Sequence, residues 1–279
     1  SGSAGKTGTS TGSGTCTASK SAGVNVSGTG KHKVTVETNA DNGINKGTIY
    51  RPSDLGGDEK YPIYVWGEGA CTADGTSNQA AMGEIASQGY FVIADGLPKG
   101  SGSSPQNGST LLGYITWAIA ENDKRCSAYY QSLDTTKIAA DGFSCGGLMA
   151  ENASSDPRFT AVGITSSGLF SADANVYKKI HTPFKILVGG SGDMAYENGK
   201  RDYEEIAALG KPVIYFSKDG AGHGGDLGRG TGDFNSINLA WLNWQLKGDT
   251  GATGKGFLVG STCKFCTASG WEYKIKNLE

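Results

Sequence analysis

Ser144 lies in Gly142-Phe143-Ser144-Cys145-Gly146-Gly147, a Gly-x-Ser-x-Gly pattern. It follows the apolar run Lys137-Ile138-Ala139-Ala140 and precedes Leu148-Met149-Ala150-Glu151-Asn152, which can continue as a helix. Strand, sharp turn and helix in that order are the context of a nucleophile elbow, where a serine hydroxyl is presented at the carboxyl edge of a sheet. Flanking glycines suit such a turn, because a strained serine packed between strand and helix leaves little room for neighbouring Cβ atoms. With 45 glycines in 279 residues the pentapeptide alone is a weak signal, and its place between strand and helix is what raises it.

A serine hydroxyl is a poor nucleophile at neutral pH and needs a base. Of three histidines, His32 starts an early strand and His181 lies in a Pro-containing connection. His223 sits in Gly220-Ala221-Gly222-His223-Gly224-Gly225, just after the strand-like Val213-Ile214-Tyr215-Phe216, and is the expected base. The plainer alternative is a surface-loop histidine with no role. An acid should fall between nucleophile and base, after a further strand. Phe184-Lys185-Ile186-Leu187-Val188-Gly189-Gly190 is that strand, and Ser191-Gly192-Asp193 follows it. Asp193 is therefore the expected acid, accepting the second imidazole N–H and stabilising the imidazolium. Asp202 in a helical pattern, Asp219 after the strand that leads to His223, and Asp226 just past the base rank behind it. Two N–H donors for an oxyanion are expected from Cys145, opening the helix, and from Glu68 in Gly67-Glu68-Gly69-Ala70-Cys71, after the strand Tyr61-Pro62-Ile63-Tyr64-Val65-Trp66.

Five segments together, Trp66-Gly67-Glu68-Gly69-Ala70-Cys71, Gly142-Phe143-Ser144-Cys145-Gly146-Gly147, Gly192-Asp193-Met194-Ala195-Tyr196-Glu197-Asn198-Gly199, Gly222-His223-Gly224-Gly225 and Ala240-Trp241-Leu242-Asn243-Trp244-Gln245-Leu246-Lys247-Gly248, resemble the secreted α/β-hydrolases near the dienelactone-hydrolase, cutinase and polyester-hydrolase branches. The resemblance covers roughly residues 30–279. It implies a lidless serine esterase, with Ser144, Asp193 and His223 on the matching positions. Dienelactone hydrolases proper use a cysteine nucleophile where this chain has Ser144, so their substrate does not carry over. In this fold the loops bearing Cys71 and Cys145 face each other, and the resemblance points to a disulfide between them that would hold the two oxyanion donors apart at a fixed separation. That pairing leaves Cys263 with Cys266 and Cys16 with Cys126. The alternative for Cys145 is a buried free thiol packing as a small hydrophobe.

The elements that must position these residues alternate along the chain. A hairpin comes first, Lys33–Thr38 and Lys46–Tyr50 around the turn signal Asp41-Asn42-Gly43. Strands near 63–66, 91–94, 137–140, 160–164, 184–190 and 213–216 then alternate with helices near 77–87, 111–122, 148–152, 196–209 and 234–246. This predicts an α/β-hydrolase fold: a mostly parallel sheet with helices on both faces, entered through an antiparallel hairpin. Between Ser166 and Pro183 there are too few residues for a lid domain, so the site is expected to be open and suited to bulky or polymeric acyl esters. Trp66, Phe143, Trp117, Tyr129 and Tyr130 are the candidates to line it, with the core as the commoner place for large aromatics.

The length suits one catalytic domain, residues 29–279, after a Ser/Gly/Thr-rich flexible arm or linker at residues 1–28 that buries too little to order itself; a linker would imply a preceding module, and the plainer alternative is a loosely packed N-terminal arm. Ser1 in place of an initiator methionine suggests processing. A net charge of −2 argues against a nucleic-acid binder, and no apolar run is long enough to span a bilayer. Six cysteines and the Asn-x-Ser sequons at Asn25, Asn107 and Asn152 favour a secreted, extracellular setting. Cys263 and Cys266 lack a second ligand pair for structural zinc, and neither metal nor cofactor is expected. The expected function is a secreted, monomeric serine carboxylic-ester hydrolase working through an acyl-enzyme on small or polymeric esters. The alternatives are a serine peptidase, amidase or acyltransferase on the same fold, or a non-catalytic binding protein.

Overall fold

Four runs, Tyr61–Gly67, Phe91–Asp95, Ala161–Thr165 and Phe184–Val188, are buried at every position. Runs that short and that uniformly buried are what strands become when helices cover both faces of their sheet. A computed structural model describes residues 15–279. Among them the order is β1 (Lys20–Ser21), β2 (Val34–Thr38), β3 (Gly47–Pro52), β4 (Tyr61–Gly67), α1 (Gln79–Ser87), β5 (Phe91–Asp95), α2 (Ser109–Asp123), β6 (Leu133–Gly142), α3 (Cys145–Ala153), β7 (Ala161–Thr165), α4 (Ala174–Lys179), β8 (Phe184–Val188), α5 (Tyr196–Ala208), β9 (Val213–Lys218), α6 (Asp233–Lys247), α7 (Lys255–Leu258) and β10 (Trp271–Lys276).

The strands form one ten-stranded sheet in the order β1-β2-β3-β5-β4-β6-β7-β8-β9-β10. From β5 through β9 neighbours run parallel, while β1, β2 and β3 at one edge and β10 at the other pair antiparallel. The fold is α/β with a largely parallel sheet. Side chains alternate across it. Ile63 and Val65 face the helices that supply Ile115, Leu148 and Ile206, whereas Tyr64 and Trp66 face those that supply Met82, Ile85, Ile237 and Trp241. Thus α2, α3 and α5 cover one face and α1 and α6 the other. Among the described residues no helix is long and apolar enough to cross a membrane.

Two expectations change. Of the arm expected at residues 1–28, residues 1–14 lie outside the described ones, and residues 15–28 are held against the domain rather than loose. Cys16 is bonded to Cys126, β1 pairs with β2, and a Cβ on Gly83 of α1 would come 2.7 Å from Val26. A crosslink and backbone pairing order a segment whose own side chains bury too little to do so. The expected alternation also stops at α6, whereas the chain continues through α7 to β10, whose Trp271, Tyr273 and Ile275 alternate with charged residues along the edge of β9. Between β7 and β8 stands only the six-residue α4, whose Tyr177 bonds Asp202 of α5.

Candidate active site

Ser144 occupies the link between β6 and α3 with φ +53° and ψ −120°, a conformation that costs an L-residue on the order of 1–3 kcal/mol. The surroundings hold it there. Its N–H donates to Thr165 O at 3.0 Å, and Ser167 Oγ donates to its carbonyl at 2.7 Å. The flanking glycines are required by close approach of main chains: a Cβ on Gly142 would lie 2.2 Å from Gly146 O, and one on Gly146 would lie 2.0 Å from Gly67 O. Strand β6, the first turn of α3 and the loop after β4 are therefore in main-chain contact around Ser144.

His223 Nε2 lies 2.9 Å from Ser144 Oγ, and its Nδ1 lies 2.7 Å from Asp193 Oδ1. The three residues come from the carboxyl ends of β6, β8 and β9 and form one hydrogen-bonded chain. The Phe143 ring lies 4.9 Å from the imidazole, centroid to centroid. Asp193 is buried, and burial alone would raise its carboxyl. Hydrogen bonds from Ser166, the Ala195 N–H, His223 and the Gly189 N–H outweigh that and hold it below its ordinary range, so it is an anion opposite the imidazole. The arrangement can take the proton of the Ser144 hydroxyl on Nε2 while Asp193 fixes the tautomer through Nδ1–H.

None of the rival acids bonds the His223 ring, and two of them are committed elsewhere. Asp202 accepts from the Leu169 N–H and from Tyr177, and Asp226 accepts the Asp233 and Phe234 N–H groups at the start of α6. Asp219 is exposed, with its main chain tied to Gly270 O beside β10. His32 lies between Asp54 and Glu59, and His181 bonds Asp156 O.

Cys145 opens α3, so its N–H is among the first four of the helix and has no partner within it. Glu68 ends β4's carboxyl side, and a Cβ on Gly146 would come 2.6 Å from its nitrogen, so the two main-chain segments expected to supply donors converge beside Ser144. A disulfide joins them: Cys71, ending a 3-10 turn at Gly69–Cys71, is bonded to Cys145, with Cα atoms 5.0 Å apart. The other two bonds are Cys16 to Cys126 and Cys263 to Cys266. The Glu68 side chain has a feature its nomination did not include. It is fully buried, with Oε2 accepting from Trp66 Nε1 at 3.0 Å and Asn78 Nδ2 at 2.6 Å, and burial raises its carboxyl from its ordinary 4.5 to about 8.

Of the aromatics expected to line the site, only Phe143 does. Trp66 points into the core on the α1 and α6 face with none of its surface exposed, because its position in β4 sets its side. Trp117 is buried on α2 with Nε1 to Asp41, and Tyr129 is buried with its hydroxyl on Glu37. Tyr130 lies with Tyr129 just before β6, at the amino end of the sheet, opposite Ser144. The large apolar side chains exposed in segments that follow the carboxyl ends of strands are instead Met194, next in sequence to Asp193, Phe170, four residues past Ser166, and Leu97, two residues past β5, at 80%, 75% and 44%. Ser166 and Ser167, the pair after β7 that reaches Asp193 and Ser144, are further residues that sequence reasoning missed; their only signal is Ser-Ser-Gly at the end of a strand between nucleophile and acid. No protein-family model matches this chain, and no curated protein is similar to it.

Proposed function

We propose that the protein is a secreted serine carboxylic-ester hydrolase of α/β-hydrolase type, with Ser144 as nucleophile, His223 as general base and Asp193 as its orienting acid. The observation that carries this reading is the unbroken chain from Ser144 Oγ to His223 Nε2, at 2.9 Å, and from Nδ1 to Asp193 Oδ1, at 2.7 Å, with the serine on a strained strand-to-helix turn. Ser144 attacks the ester carbonyl as His223 takes its proton. The Cys145 and Glu68 N–H groups stabilise the oxyanion, the imidazolium returns the proton to the leaving alcohol, and water repeats the sequence on the acyl-enzyme.

The exposed Met194, next in sequence to Asp193, and Phe170, four residues past Ser166, support acyl groups that are large and apolar, polymer chains among them. Three disulfides support secretion, since such bonds persist in oxidising compartments. The test is hydrolysis of p-nitrophenyl butyrate together with fluorophosphonate labelling. Both are expected to vanish in Ser144→Ala, and wild-type protein that neither turns over the ester nor labels would refute the proposal. Parallel assays of matched esters and amides separate an esterase from a peptidase.

A further inference from the structure

The segment that bears His223 is fixed on itself only by turn bonds, from the Ala221 N–H to Lys218 O, the Gly225 N–H to Gly222 O and the Leu227 N–H to Gly224 O. Gly220, Gly222, Gly224 and Gly225 all have positive φ, between +51° and +85°, and none has a side chain to pack. A catalytic base on such a loop must be held from outside, and the anchors flank it. Ahead of the histidine, the Gly222 N–H donates to Gly189 O at 2.8 Å; behind it, the Gly224 N–H donates to Ser166 Oγ at 2.8 Å. Gly189, just after β8, also donates its own N–H to Asp193 Oδ2 at 2.9 Å.

Ser166 stands just after β7 with φ +45° and none of its surface exposed. Its N–H is bonded to Leu187 O of β8 at 2.6 Å, so its main chain is tied to the strand that carries Asp193. A serine hydroxyl has one proton and can also accept. Here it accepts the Gly224 N–H, and its own proton goes to the Asp193 carboxylate, which when ionised only accepts. One buried hydroxyl therefore touches both the acid and the main chain next to the base. Asp193 is the one carboxylate within 4.0 Å of the His223 ring among the described residues.

We infer that Ser166 is a positioning residue of the site, a fourth member whose hydroxyl sets the separation and orientation of Asp193 and His223. The inference rests on the proposed role of Ser144, Asp193 and His223. Removing the hydroxyl has two consequences. The Gly224 N–H loses its anchor, so the imidazole spends less time aligned on Ser144. The Asp193 carboxylate loses a competing donor, so it binds the imidazolium more strongly and the histidine keeps its proton to higher pH.

The test compares wild type with Ser166→Ala and Ser166→Gly. Alanine removes only the hydroxyl, and glycine also relieves the positive φ, which keeps a folded variant in hand if the first is unstable. Three quantities are read: the kcat and KM split on p-nitrophenyl butyrate, the acid limb of the pH–rate profile, and the downfield proton resonance of the His223 Nδ1–H. In folded variants kcat falls about tenfold with KM within about twofold, the limb moves to higher pH, and the resonance shifts. A fall in kcat with limb and resonance both unmoved, or no change at all, overturns the inference. If wild type proves inactive on esters, the proposed function fails while the resonance, which needs no turnover, still decides on Ser166.

Discussion

Among the described residues Ser144 Oγ bonds one imidazole, that of His223, and that ring bonds one carboxylate, Asp193; acting as proposed, such a unit loses most of its function with any member. Ser144→Ala and His223→Ala are each expected to lower kcat on the order of 10⁵-fold, and Asp193→Asn on the order of 10⁴-fold. Asp226→Asn should keep wild-type turnover, because that carboxylate serves the start of α6. If Asp226→Asn were inactive and Asp193→Asn active, the assignment of the acid would be wrong. The pH dependence has a fixed sign: His223 must be neutral to accept the serine proton, so kcat/KM rises with pH as the imidazole deprotonates. A rate flat from about pH 5 to 9 would exclude a histidine base.

At the level of elements, the site depends on how closely α3 and the loop after β4 approach. Gly146 is the point of contact, where a Cβ would stand 2.0 Å from Gly67 O and 2.6 Å from the Glu68 nitrogen, both main-chain atoms that cannot swing aside. Gly146→Ala must push helix and loop apart, which is expected to cost about 1–3 kcal/mol of stability and to separate the two oxyanion donors. Tm and kcat should fall together, with KM little changed. The Cys71–Cys145 bond spans the same two segments, across a sequence separation of 74. Replacing both cysteines by serine is expected to cost about 2–4 kcal/mol and to lower kcat about tenfold. A lower Tm with unchanged kcat would show that the bond stabilises the fold without positioning the donors.

Across the whole molecule, burial of acids sets how stability follows pH. Glu68 is raised from its ordinary 4.5 to about 8, and burial likewise raises Asp95, Asp141, Glu151 and Asp202. For a carboxyl whose folded pKa lies above its unfolded one, folding is favoured fully below the unfolded value. Between about pH 4.5 and 8 the unfolded chain releases a proton that the folded chain keeps, so stability declines as pH rises. Carboxylates held low, among them Asp54, Glu59, Asp156, Asp193 and Asp233, act in the opposite sense and withdraw their contribution in stronger acid. Tm is therefore expected to be highest in mild acid. Glu68→Gln, which preserves an acceptor for Trp66 and Asn78, should flatten the decline toward pH 8 by about a few kcal/mol. A parallel decline in wild type and variant would refute a buried protonated Glu68.

That Ser144, His223 and Asp193 meet was legible in the sequence because their signals are local and their residue types few: a serine between strand and helix, a histidine in a glycine segment past a late strand, an aspartate past the strand between them. The alternation of apolar runs likewise specified a largely parallel sheet, since each run is too short to be anything but a strand and all but the one at 160–164 are followed by an expected helical span; α4, six residues long, fills that gap. Apart from the disulfides, to which the resemblance and the cysteine count pointed, what depends on contacts between distant segments was not legible. Trp66 and Ile63 stand three residues apart in one apolar run, and only the packing of α1 and α6 on one face and α2, α3 and α5 on the other decides which layer each enters. The Cys16–Cys126 pair was expected, but the pairing of β1 with β2 and the approach of Val26 to α1, which with that bond hold residues 15–28 on the domain, were not. Ser166 became part of the site because β7, β8 and β9 lie side by side and bring their carboxyl ends together, so that one hydroxyl reaches an aspartate 27 positions on and the main chain of Gly224, 58 positions on.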